Sequence, residues 1–154
     1  GAGCAVPGSA SIVPIERALL RYCSDLVNLQ ALYTSDASAA PRGALAKARA
    51  MPLRAPLLVA VIARLQAHAK VPQQEQILAA GCAAHGLLLA AHAQGIGAVW
   101  RTGELSHSPA VAAGLGLAAD EQIIAFIYLG TPAGELRSPL LLDPKDYVSA
   151  WPAA

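Results

Sequence analysis

The sequence predicts an α+β domain, and three features carry that expectation. Helical and strand-like hydrophobic periods both occur, but without the regular strand–helix–strand alternation of a parallel sheet. One long Ala/Leu-rich helix is bounded by Pro72 and Gly95. Short β-branched runs elsewhere end on glycine or proline, the residues that punctuate strands. A length of 154 residues fits a single domain over 1–154 with a real core, and no internal repeat divides it.

The elements follow from the amino terminus. Residues 1–11 are small and Gly/Pro-punctuated, a lead-in. Ile12-Val13-Pro14-Ile15 is β-branched, but Pro14 limits it to an edge strand. From Glu16 to about Leu32, apolar Leu19, Leu20, Cys23, Leu26, Val27 and Leu29 alternate with polar Arg17, Arg21, Asp25 and Asn28 at a helical period. Thr34 to Gly43 is a polar loop, and Ala44 to Ala50 a short helix stopped by Pro52. Leu57 to Leu65, an apolar, β-branched run after Pro56, is a buried strand. Pro72 opens the main helix, and Glu75 lies in its first turn, where the helix dipole favours a carboxylate. The helix runs to about Gln94, with Gly95 placed to close it in a left-handed conformation. Ala98 to Arg101 is extended. Ser108-Pro109 reads as the cap and first residue of a helix ending at Gly114 or Gly116. Asp120-Glu121 turns into a strand, Gln122 to Leu129, ended by Gly130-Thr131-Pro132. The tail from Leu136 to Ala154 is Pro-punctuated and carries Leu140-Leu141-Leu142 and Trp151. A tail of that kind lies on its own domain or on a partner.

Composition narrows the function. Hydrophobic residues make up 55% of the chain and mean hydropathy is +0.45, much of it alanine. The longest apolar stretch, Ile77 to Ala93, contains His85 and His92 and falls short of the roughly 20 residues that span a bilayer. It reads as a buried core helix, with no membrane span. A helix this apolar must be hidden on nearly all sides, which a lone small domain does poorly; a homodimer is expected. Net charge is +1 without a Lys/Arg cluster, so no nucleic-acid footprint is present. Cys4, Cys23 and Cys82 form neither a CxxC nor a metal-ligand spacing, and the odd count fits a reducing cytoplasm. The amino terminus lacks the charged and apolar regions of a signal peptide.

The segment richest in chemistry is Gly95-Ile96-Gly97-Ala98-Val99-Trp100-Arg101-Thr102-Gly103. It gathers glycines, a tryptophan, an arginine and a threonine at the end of the main helix, in a chain with 5% aromatic and 14% charged residues. It can present backbone N–H groups, a flat apolar ring and a cation to one ligand, and an aromatic, phosphorylated ligand suits all three.

Several segments together resemble the short, single-domain nitroreductases. They are Lys47-Ala48-Arg49-Ala50-x-Pro52-x-Arg54-Ala55-Pro56, Lys70-Val71-Pro72-x-x-Glu75-Gln76, Ala80-Gly81-Cys82-Ala83, the run Ala93 to Gly103, Ser108-Pro109-Ala110-Val111 and Tyr128-Leu129-Gly130-Thr131-Pro132. The resemblance covers about Ala44 to Tyr147. Residues 1–35 match the family poorly, and the Arg-Arg-Ser-type motif that holds the FMN phosphate near the start of family members is not found in this sequence. It implies a central sheet flanked by helices in an intertwined homodimer. It also implies an FMN-dependent NAD(P)H oxidoreductase that passes hydride through the flavin to a nitro or quinone-like acceptor. Carried over by position, Trp100, Arg101 and Thr102 become FMN contacts, Arg101 pairing with the phosphate or a polar flavin oxygen. No side chain need act as nucleophile, so no catalytic residue is expected. The alternative is a cofactor-free remnant of the fold, acting as a non-enzymatic dimerising or partner-binding module.

The remaining candidates are weaker. Cys82 and His85 lie three apart on one helix face, a spacing that packing explains as well as a thiolate pair does. His85 and His92 lack a third ligand in register, so no metal site is expected. His68 and His107 fall in loops. Gly95-Ile96-Gly97 follows a helix rather than a strand, the wrong order for a dinucleotide-binding fingerprint.

Overall fold

The computed structural model describes residues 18–23, 42–134 and 138–151. Among the described residues its centre is a four-stranded antiparallel sheet in the order β1-β2-β4-β3. The strands are β1 (Ala18–Cys23), β2 (Leu57–Arg64), β3 (Gly97–Arg101) and β4 (Glu121–Gly130). The helices are α1 (Arg42–Ala50), α2 (Gln73–Ala93) and α3 (Pro109–Gly114). Short 3-10 turns occupy Pro52–Arg54, Glu104–His107 and Pro144–Asp146.

β2 is apolar from Leu57 to Ala63, up to the exposed Arg64 at its end, because both of its faces are covered. Leu58, Ala60 and Ile62 point to one side, with Val111 of α3, Ile123, Phe126 and Tyr128; Met51, Leu105 and Leu117 close over them. Val59 and Val61 point to the other, with Ala84 of α2, Ala125 and Ile127. The sheet is therefore the middle of three layers. Fully buried Leu58, Val61, Ile62, Val111 and Ile127 each contribute roughly 1.5–3 kcal/mol of transfer free energy. A bulge keeps the faces in phase. Val61 pairs with Ala125 but Ile62 with Ile123, which leaves Ile124 as the extra residue. Without it, Ile123 would point away from Phe126 and Tyr128.

α2 lies on the sheet through Ala80, Ala84 and Ala91, small residues that let helix and strands approach closely. Gln76 in its first turn is buried and tied to the β2–α2 connection. Its Oε1 accepts from the Gln66 N–H (3.0 Å), and its Nε2 donates to the carbonyls of Gln66 (2.9 Å) and Val71 (3.1 Å). At 21 residues α2 is long and apolar enough to cross a membrane by length and composition, yet one face of it builds the core with the sheet.

Two expectations need correction. The stretch Glu16–Leu32 contains a strand, Ala18–Cys23, rather than a helix. Local periodicity cannot register that β2 needs a hydrogen-bonding neighbour on its free side, and β1 supplies it from Ala18↔Ala63 to Cys23↔Leu58. α2 is also not hidden on nearly all sides within one chain. Leu78 (61% exposed), Cys82, His85, Leu89 (58% exposed) and His92 form an exposed stripe at spacings of four and three. The strand expected at Ile12–Ile15, the lead-in over 1–11 and most of the loop over 34–43 lie outside the described residues. The other elements fall within a residue or two of their expected ends.

Candidate functional site

The segment Gly95 to Gly103 joins the end of α2 to the edge strand β3 and then to the 3-10 turn before α3. Gly95 reverses the chain at φ +71°, a conformation that strains any residue with a Cβ. Its N–H donates to the His92 carbonyl (3.0 Å), and the Ile96 N–H donates to that of Ala91 (2.9 Å). This pair of bonds satisfies carbonyls at the helix end and aims the chain straight into β3. At the other end Gly103, at φ +121°, turns the chain out of the sheet. Its carbonyl accepts from both the backbone N–H (3.0 Å) and the Oγ (2.7 Å) of Ser106. Ser108 then caps α3, accepting from the Val111 N–H at 3.2 Å. Trp100, Arg101 and Thr102 are thus held between two hydrogen-bonded turns. Ser106 was not singled out from the sequence, where a serine in a Ser-His-Ser run carries no distinguishing pattern.

Strand alternation divides the three residues. Trp100 pairs with Ile127 and packs, half-buried, on the α2 side of the sheet. Arg101 pairs with Phe126 and, with Val99, points to the opposite face, where both are exposed. Among the described residues the Arg101 guanidinium has no ion-pair partner. Thr102 is exposed just beyond the strand. Among the described residues β3 is hydrogen-bonded to β4 on one side only, which makes it the edge of the described sheet. The structure therefore brings together an exposed cation, a hydroxyl and a strand edge. It sets the indole apart, against the helix.

The other candidates are scattered. His85 and His92 are exposed on α2, beside the free thiol of Cys82. His68 is exposed, and its Nδ1 accepts from the N–H groups of Lys70 (3.2 Å) and Val71 (3.0 Å). His107 lines a cleft of about 290 Å³ between the α3 turn and the start of β4, with Ser106, Ser108, Glu121 and Ile123. Neither Trp100, Arg101 nor Thr102 lines that cleft.

Comparison with known proteins bears on the family and the fold. The family model described as "Nitroreductase family" matches residues 12–131, so the family likeness takes in residues 12–35, contrary to the expectation of a poor match over 1–35, and it ends before Tyr147. YdjA of Escherichia coli strain K12, named provisionally as an NAD(P)H nitroreductase, is 41% identical over 107 residues, covering 69% of this chain and 58% of YdjA. The chain thus spans less than two thirds of the length of that relative. Among solved structures, nitroreductase A from Vibrio parahaemolyticus superposes with a TM-score of 0.70 at 18% identity, covering 96% of this chain and 62% of the other. A nitroreductase with bound FMN from Bacteroides fragilis gives 0.62 at 19% identity, covering 88% and 76%. At such identities these likenesses speak for the fold alone. The family match over most of the chain, the relative at 41% identity and the shared sheet together show that this chain belongs to the nitroreductase family.

Proposed function

We propose that this protein is an FMN-dependent NAD(P)H oxidoreductase of nitroreductase type, acting on a nitro or quinone-like acceptor, with Trp100, Arg101 and Thr102 contacting the flavin. The observation that carries the reading is the exposed Arg101, a cation without an ion-pair partner among the described residues, at the end of the edge strand of the described sheet. A guanidinium there suits a phosphate or an electron-rich flavin oxygen, and charge-assisted bonds of this kind contribute about 1.5–3 kcal/mol each. The Thr102 hydroxyl and the backbone groups of β3 suit the polar edge of an isoalloxazine. Trp100 supports the strand from behind, half-buried against α2, and is joined to the site through its backbone in β3. The donor set therefore fits FMN. When bound, FMN supplies hydride exchange between a nicotinamide and an electrophilic acceptor. The chain's own part is to bind, orient and shield.

A homodimer completes the proposal. The stripe Leu78-Cys82-His85-Leu89-His92 has the 4-3-4-3 spacing of a helix that packs along another helix. The described tail also leaves large apolar side chains uncovered, Leu141 at 91% and Trp151 at 94% exposure among them. A second copy would cover both surfaces. Purified protein mixed with FMN and desalted is expected to keep a flavin visible spectrum. A colourless protein that takes up no FMN at tens of micromolar would remove the flavin and leave a dimerising module.

A further inference from the structure

The indole of Trp100 spans the gap between β3 and α2. Its outer carbon, Cη2, reaches the helix at Gly81, where a Cβ on that glycine would stand 3.8 Å away. That is ordinary contact, so one methyl group would fit and a longer side chain would enter the space of the ring. Gly86, five residues further along α2, gives the contrast: a Cβ there would meet nothing within 4 Å. Ala84, on the same face as Gly81, is fully buried in the cluster that Trp100 joins. The ring is therefore seated on small residues of α2, and Gly81 is where its far end comes to rest.

Resting on the flavin reading above, we propose that Gly81 is a positioning residue for this site. By leaving α2 bare beneath the indole it seats Trp100 on the helix, and so fixes where the end of β3 presents Arg101 and Thr102. Trp100 is joined to Arg101 by one peptide bond, so a displaced ring moves the guanidinium with the strand. Displacements of about 1 Å are enough to weaken well-oriented contacts strongly.

The chain has two tryptophans, and Trp151 is exposed, so a Trp151→Phe background isolates the emission of Trp100. In that background Gly81→Ala should keep the parent emission maximum and Gly81→Leu should shift it to the red. Gly86→Leu, the control for a bulky residue on the same helix, should leave it in place. In FMN titrations followed by flavin fluorescence, Gly81→Leu should bind on the order of tenfold more weakly than parent, and Gly81→Ala like parent. The proposal is overturned if Gly81→Leu leaves emission and affinity unchanged. It is overturned equally if emission shifts without loss of affinity, or if alanine and leucine have the same effect. Should Gly81→Leu fail to fold, the double variant Gly81→Leu/Trp100→Ala decides: recovered folding supports a clash with the ring, and continued failure counts against it. A parent that takes up no FMN sinks the flavin reading, while the emission measurements still decide whether Gly81 seats the ring.

Discussion

Glu121 shows how much one side chain can organise at this scale. Its carboxylate is 1% exposed, and Oε1 accepts from the Arg64 Nε (3.2 Å) and Nη2 (2.6 Å). Oε2 accepts from the backbone N–H of Ala118 at 3.0 Å. One residue thereby joins the end of β2, the start of β4 and the turn between α3 and β4. Arg64 is partly exposed, so the Coulombic part is screened; the covered carboxylate and its hydrogen bonds carry most of the effect. Glu121→Ala is expected to destabilise the fold by about 2 kcal/mol, read as a lower urea midpoint at unchanged slope. Little of this was visible beforehand, because Asp120-Glu121 reads as a turn and its partner Arg64 stands 57 positions away. Gly81 and Trp100 show the same limit. Each lies in a segment singled out from the sequence, yet only the fold makes them neighbours.

Elements were legible wherever a residue's own backbone chemistry marks a boundary. Pro56 before β2, Pro72 before α2, Gly95 after it and Ser108-Pro109 before α3 all stand where expected. Each acts through a fixed φ, a missing N–H or a side-chain cap, which are local properties. Gly95→Ala follows from that logic. Forcing φ +71° on a residue with a Cβ should cost about 1–2 kcal/mol in thermal or urea unfolding, with helix content by circular dichroism nearly unchanged. β1 was missed for the converse reason. Leu19, Leu20 and Cys23 fit a helical period, and what settles the matter is pairing with a strand some 40 residues downstream. The bulge at Ile124 was equally silent, since a run of apolar residues does not reveal which of them changes face.

At the scale of the molecule, one chain covers its sheet but not its long helix or its tail. Charge introduced into the stripe of α2 tests whether a second copy lies there. The double variant Leu78→Asp/Leu89→Asp should sediment as a monomer where the parent sediments as a dimer, because both positions are exposed within one chain. A parent that sediments as a monomer at every concentration would contradict the proposed dimer.

The central claim is that the end of β3 holds a flavin through Arg101, and an FMN titration comparing parent with Arg101→Ala tests it most directly. The exposed guanidinium has no ion-pair partner among the described residues, so its removal should shift unfolding by no more than about 0.5 kcal/mol. Its loss should weaken FMN binding by roughly 10- to 100-fold, the worth of one charge-assisted hydrogen bond. Equal affinities for parent and variant, both folded, would contradict the account.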